Sequence, residues 1–427
     1  MLVETWPGMH RFAFATLLLA AACGDDSASG PTELKSDLAR DTAPDVSDAE
    51  LAAQVAGNTE FAADLYRAAA IAQAGKNLFM SPHSVSTAIA MTYAGATGTT
   101  ATQIADVFHF VGPAATVHAT FDALDLQLAA RAQGGTSQTI PFKLTTANSI
   151  WGQEGKAFQP TFLDTLAVNY GAGLHVLDFA GDPEASRGTI NGWVEDQTND
   201  KIKNLLPEGS VTGDTKLVLT NAIYFTAAWA SPFSPTNTAD RPFQVAGSAV
   251  QVPTLFGESE MNYASGADFA AAEIPYDGGQ LSMTVVVPTG DLAAFEASLS
   301  ASKFASIVDA MRLKSVKLTL PKFKFDSPIG LRDILFDLGM TDAFTFGAAD
   351  FSGIDGTTEL AITDVLHKGF VAIDEKGTEA AAATAVIIGD TSVPEQAELV
   401  ADRPFVFFIR DLPTGEILFV GRIVDPR

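Results

Sequence analysis

The chain has 427 residues, 47% of them hydrophobic and 18% charged, which excludes wholesale disorder and leaves ample material for a core. Asp and Glu number 51 against 26 Lys and Arg, a formal charge of −25, which excludes recognition of nucleic acid or anionic lipid through a basic face. The single cysteine, Cys23, excludes an internal disulfide and any cysteine-built zinc or iron–sulfur centre.

Residues Met9 to Cys23 read MHRFAFATLLLAAAC, a short basic start at His10 and Arg11 followed by an apolar run to Ala22. That run is too short to span a bilayer and ends in small residues, so residues 1–22 are expected to be an export signal. Its end resembles a bacterial lipoprotein signal, with Cys23 as the lipidated first mature residue; an ordinary signal with a nearby cysteine is the alternative. Either way the protein is expected to be exported, with a lipid on Cys23 as its only membrane attachment. Polar, small and acidic residues follow, and residues 23–50 are expected to form a disordered tether. Residues 51–427 carry no second linker and no internal repeat, and read as a single domain.

Helical spacing dominates early in that domain. Leu51 to Ala74 places Phe61, Leu65 and Ala69 on one face; Ser84 to Tyr93 and Ala101 to Phe108 are helical by the same criterion. Thr189 to Leu206 reads as an amphipathic helix ended by Pro207 and Gly209. Strand patterns follow at Leu217 to Phe225, Leu281 to Pro288, Ser315 to Pro321 and Phe405 to Arg410, with polar–apolar alternation running from Lys314 to Phe325. Helices first and long strands later predict an α+β fold.

Catalytic signatures are missing: no G-x-S-x-G elbow, HExxH, Walker loop or GxGxxG is found. The six histidines show no metal-ligand spacing, so neither metal nor cofactor is expected. A Ser–His–Asp triad is a spatial arrangement that sequence does not deny, so a hydrolase stays as a third hypothesis.

The segment Val365 to Glu395 stands apart. By propensity its alanines form a helix. Read with period two, Thr378, Ala380, Ala382, Thr384, Val386 and Ile388 share one face, all small or apolar. The only charge, Glu379, falls on the other face with Ala381, Ala383, Ala385 and Ile387. A segment that slides between two strands needs small inward side chains and no proline, and this one meets both requirements from Gly377 to Thr391.

From these residues the chain is identified as resembling the serpin family over roughly Asn58 to Arg427. The carriers are NLFMSPHSV (Asn77 to Val85), TNAIYFTAAW (Thr220 to Trp229), DEKGTEAAAAT (Asp374 to Thr384), RPFVFFIRD (Arg403 to Asp411) and ILFVGRIVDP (Ile417 to Pro426). The resemblance implies three β-sheets with about nine helices and an exposed reactive-centre loop. It implies a monomeric suicide substrate, not an enzyme: a protease cuts the loop, is acylated, and is trapped when the loop inserts into the central sheet. The hinge is implied at Glu375, Gly377, Thr378, Glu379, Ala380, Ala381, Ala382 and Ala383. Ser81, Ser84, Asn221 and His367 match the family's polar cluster below the point where the central strands part, and Trp229 the aromatic beside the hinge.

Counting from Glu375 places the reactive bond at Thr391–Ser392, within a window from Gly389 to Pro394. No Arg or Lys lies there, so an elastase-like or subtilisin-like serine protease is the expected partner, in a covalent acyl complex, with a cysteine protease as the alternative. The runner-up function is a non-inhibitory family member acting as a binder or carrier.

Overall fold

In the computed structural model, which describes residues 31–131, 142–378 and 395–427, local chemistry sets the helix starts. Ser47 and Glu50 cap each other reciprocally, with Glu50 Oε2 accepting from Ser47 N at 2.9 Å, and helix α1 (Asp48–Ala72) begins there. It buries Phe61, Leu65 and Ala69, as the spacing predicts. Helix α2 (Pro82–Tyr93) starts with Pro82 in its first turn and Ser81 as its cap. Helices α3 (Gly98–Val107), α4 (Ala114–Ala130), α5 (Pro160–Tyr170) and α6 (Pro183–Gln197) follow. With Leu292–Ser298, Ala301–Asp309, Arg332–Leu338 and Ser352–Asp355, the described residues hold ten α-helices against the nine or so expected.

The strands in chain order are β1 (Thr32–Leu34), β2 (Leu78–Met80), β3 (Lys143–Gln153), β4 (Leu174–Leu177), β5 (Leu217–Ala228) and β6 (Ala239–Val245). Then come β7 (Ser248–Ser265), β8 (Phe269–Pro275), β9 (Leu281–Pro288), β10 (Arg312–Pro321) and β11 (Phe323–Gly330). The last are β12 (Val365–Ile373), β13 (Gly377–Thr378), β14 (Gln396–Val400), β15 (Phe405–Asp411) and β16 (Ile417–Ile423). A seven-stranded sheet runs β1-β4-β3-β5-β13-β12-β11, and a nine-stranded one β14-β10-β7-β8-β9-β15-β16-β2 with β6 on β7.

The fold is α+β, with the helices gathered mainly early in the chain and two large sheets built from the later strands. Pairing among the described residues gives two continuous sheets, not three, because the eighteen-residue β7 ladders with β6, β10 and β8 in turn and joins what would otherwise be separate sheets.

Every residue of β5 is buried, which marks it as central. Its inward side chains Ile223, Phe225 and Ala227, with Val371 and Ile373 of β12, pack on Met283, Val285, Phe407 and Ile409 of the nine-stranded sheet. On the outer face, Val194 of α6 and the following Ile202 and Leu205 cover Ala147, Ala222, Tyr224 and Phe370.

Three expectations need correction. The helix expected over Thr189 to Leu206 starts at Pro183, where Asp182 caps Ala185 N at 3.0 Å, and stops at Gln197. Asn199 and Asp200 take positive φ of 51° and 60°, which no α-helix continues through. The alternation from Lys314 to Phe325 is two strands, parted at Lys322. Residues 31–47, expected within a disordered tether, are folded onto the domain: β1 extends the seven-stranded sheet along β4, with Glu33 opposite His175. The compact unit therefore spans Pro31–Arg427. No described helix is long and apolar enough to cross a membrane.

Candidate functional site: the mouth of the central sheet

Strands β5 and β12 run parallel and are paired from Leu219–Val365 to Tyr224–Phe370, six positions in all. Above that point they part, and β13 fills the gap. Gly377 lies opposite Ala228, and Thr378 lies opposite Ala227 on one side and Ile373 on the other. Two residues of the hinge are thus already antiparallel sheet members.

Side-chain size decides that they fit. A Cβ at Gly377 would lie 2.1 Å from Ala227 O, so only glycine lets the backbones approach this closely. Thr378 is 1% exposed. Its hydroxyl meets the Tyr276 hydroxyl at 2.7 Å, and its carbonyl accepts from Thr226 Oγ1 at 2.9 Å. Burial pushes the Tyr276 phenol well above its ordinary range, so the hydroxyl stays protonated and able to donate.

The turn leading into β13 is pinned from three sides. Trp229 donates its backbone N–H to Lys376 O at 2.8 Å and its indole Nε1–H to Asp374 O at 3.0 Å. Its ring stacks on Tyr276 at 4.7 Å. Phe233 N donates to Glu375 O at 2.7 Å. The Glu375 carboxylate accepts from Lys322 Nζ at 2.9 Å and Thr238 Oγ1 at 2.8 Å. Burial alone would raise its carboxyl, but these partners outweigh that and hold it below the usual carboxylate range.

Lower in the same sheet a polar cluster bridges β5, β12 and α2. His367 and Asn221 are register partners across the six-pair ladder. His367 Nδ1 donates to Asn221 Oδ1, while its Nε2 accepts from Ser81 N at 3.1 Å, which fixes the neutral tautomer. Burial pushes the ring pKa down to about 3. Asn221 Nδ2 donates to Ser84 Oγ at 2.7 Å and to Asn148 Oδ1 at 2.6 Å, and Ser81 Oγ donates to Leu418 O at 2.7 Å. The four residues are buried, so these contacts replace water and tie the two central strands to the start of α2.

Of the residues singled out by sequence, the structure brings Glu375, Gly377, Thr378 and Trp229 together at the mouth, and Ser81, Ser84, Asn221 and His367 together below it. Glu379, Ala380, Ala381, Ala382, Ala383, Thr391, Ser392 and Cys23 lie outside the described residues. Sequence reasoning missed Tyr276, Lys322, Thr238, Thr226 and Asn148. Their partners lie up to 152 positions away, and no local signal marks them. Among the described residues no histidine ring bonds a serine hydroxyl, and no group of three or more His, Cys, Asp or Glu is placed to hold a metal. What the arrangement holds is strand pairing: a two-residue strand seated between β5 and β12.

A family model described as "Serpin (serine protease inhibitor)" matches residues 56–426. An uncharacterized serpin-like protein of Methanosarcina acetivorans is 36% identical over 425 residues, covering 97% of each chain. The leukocyte elastase inhibitor of Bos taurus is 36% identical over 383 residues, 87% of this chain and 99% of that one. The native-state crystal structure of tengpin, a thermophilic serpin, superposes with a TM-score of 0.80 at 26% identity, covering 93% of this chain and 100% of that one.

Proposed function

Because the chain belongs to the serpin family, we propose that it is an irreversible suicide-substrate inhibitor of serine proteases with an elastase-like or subtilisin-like preference. One observation carries the reading: the hinge already sits as a two-residue strand between β5 and β12, with glycine and a small inward threonine where insertion starts. The residues that follow, Glu379 to Ile388, continue the small, proline-free alternation. Cleavage frees the far end of the loop, which extends β13 downward between the parting strands. About a dozen newly laddered residues each contribute about 1 kcal/mol net, with apolar burial on the inward face in addition. That gain distorts the acylated protease. Loss of one oxyanion-hole donor alone slows such chemistry by about 10² to 10³, so deacylation stalls.

The window Gly389 to Pro394 offers small residues and no cation, which suits an elastase-like pocket. The reactive bond is assigned to Thr391–Ser392. The protein is proposed to be a monomer exported to the cell surface or beyond it, with Cys23 as a lipid attachment.

Incubation with an elastase-like protease, followed by a denaturing gel, tests the function. The expected result is a covalent band at the summed mass, an amino terminus at Ser392 on the released fragment, and a large rise in Tm on nicking. Clean cleavage with no covalent band would point to a binder or carrier. Ester turnover abolished by replacing one serine would point to a hydrolase.

A further inference from the structure

Residues 31–47 lie outside the hinge and the polar cluster, yet the domain is shaped to receive them. β1 ladders onto β4, the outer strand on the β5 side of the sheet. Lys35 Nζ donates to Gly171 O, and Asp41 N donates to Val168 O at 2.9 Å, across the end of α5. Arg40 reaches α4, where its guanidinium lies 2.7 Å from Asp122 and 2.6 Å from Asp125. Asp122 has a fully buried side chain, and among the described residues Arg40 is its one oppositely charged partner. Two glycines clear the path. A Cβ at Gly173 would lie 2.5 Å from Leu34 O, and one at Gly171 would lie 3.1 Å from Arg40 Cδ. The segment then ends in the Ser47 cap of α1.

The two ends of this segment are fastened to bodies that must separate when the sheet takes a new strand. β4 is laddered through β3 to β5. On the other side of the mouth, β12 and β11 pack on β2, which is laddered to β16 beneath α1. Admitting one strand parts β5 from β12 by about 4.8 Å, the spacing of neighbouring strands. The β4 edge shifts with β5, while the Arg40 and Ser47 fastenings stay with α4 and α1. A hydrogen bond does not survive stretching by that distance.

We infer that residues 31–47 are a strap that holds the central sheet closed and lets go of either β4 or α4 when the loop inserts. This rests on the proposed insertion mechanism and adds a positioning element to it. The strap raises the barrier to opening, so the intact protein keeps its uninserted form until a protease supplies the free loop end.

Hydrogen exchange on the full chain, before and after nicking, reads the strap directly. The amides of Thr32–Leu34 and Asp41 are expected to be protected in the intact form, and those at the released end to exchange at least tenfold faster after nicking. Two substitutions loosen the strap from different sides: Arg40→Met removes the ion pair, and Gly173→Ala pushes β1 off by contact with Leu34 O. Each is expected to speed the spontaneous loss of inhibitory capacity on warming by about tenfold, the factor that about 1.4 kcal/mol gives. Unchanged protection of both ends after nicking overturns the strap, even if a variant fails to fold. So do variants that lose inhibitory capacity at the wild-type rate. A nicked protein whose Tm has risen while strap protection is unchanged leaves the inhibitor reading standing without the strap. A nicked protein with unchanged Tm removes the inhibitor reading itself.

Discussion

Replacing Thr378 with arginine is the sharpest test of the insertion mechanism. Thr378 is the first inward side chain of β13, and its hydroxyl is the partner of the fully buried Tyr276 hydroxyl. Arginine there removes that partner, leaving a buried hydroxyl unsatisfied at a cost of about 1–3 kcal/mol. It also asks for a guanidinium among Tyr276, Ala227 and Ile373, none of which carries a charge; an uncompensated buried charge costs about 3–5 kcal/mol. Together the penalty is about 4–8 kcal/mol, a factor of about 10³ to 10⁶ against seating this residue. The intact protein escapes by swinging residues 377–378 out, because only a two-residue strand is lost. The inserted form has no such escape, since every later residue must pass through the same mouth. Thr378→Arg is therefore expected to fold, to be cut normally, and to yield cleaved protein with almost no covalent complex. Thr378→Ser, which keeps the hydroxyl, is expected to inhibit as wild type does. Titration of protease against inhibitor, scored on a denaturing gel, measures both. Equal stoichiometry for Thr378→Arg and wild type would falsify insertion through this mouth.

Three further outcomes follow from the same geometry. The His367 ring has a pKa near 3 in the folded state against 6.5 as its ordinary value, so the unfolded chain binds the proton more tightly. Its contribution is complete above pH 6.5 and is lost as pH falls from 6.5 toward 3; urea titrations should show a shallower acid slope for His367→Gln, and equal slopes refute the neutral-histidine assignment. Asn221→Ala removes the link between His367 and Ser84 and should cost the native form about 1–3 kcal/mol, read as a lower Tm before nicking; an unchanged native Tm would show that the cluster does not hold the strands. Lys322→Ala leaves Glu375 with Thr238 as its side-chain partner; because the Lys322 end of the pair is about one-third exposed, its loss should lower native stability by no more than about 1 kcal/mol, and a larger loss in chemical denaturation would mean the pair is a main lock of the hinge.

Much of the frame was legible because it is local. The Phe61, Leu65 and Ala69 stripe, the helical spacing from Ser84 to Tyr93 and the branched residues of Leu281 to Pro288 each announce an element within one window of sequence. The hinge was legible for the same reason: small residues at Gly377 and Thr378 are a local statement about what can enter a sheet. Failures came where distant contacts win. Ile202, Leu205 and Leu206 continue a helical pattern, yet they serve a loop that turns at Asn199 and packs on the sheet. The acidic run before α1 read as tether because Arg40 meets Asp122 across 82 positions and β1 meets β4 across more than a hundred. Tyr276 and Lys322 gave no signal at all; one is an aromatic in a turn, the other a lysine between two strands, until the fold sets them beside Thr378 and Glu375.

On the proposed insertion mechanism, the two seated residues of β13 would act as the slider of a zip already on its track, numbering every tooth below them. With Gly377 level with Ala228 and Thr378 level with Ala227 and Ile373, an inserting loop would step down one position per residue, which would bring Thr384 level with Asn221 on β5 and His367 on β12. A small hydroxyl would then arrive where those two side chains have just been pulled apart. A crystal structure of the nicked protein reads that count, and any offset from it would mean the slider jumped.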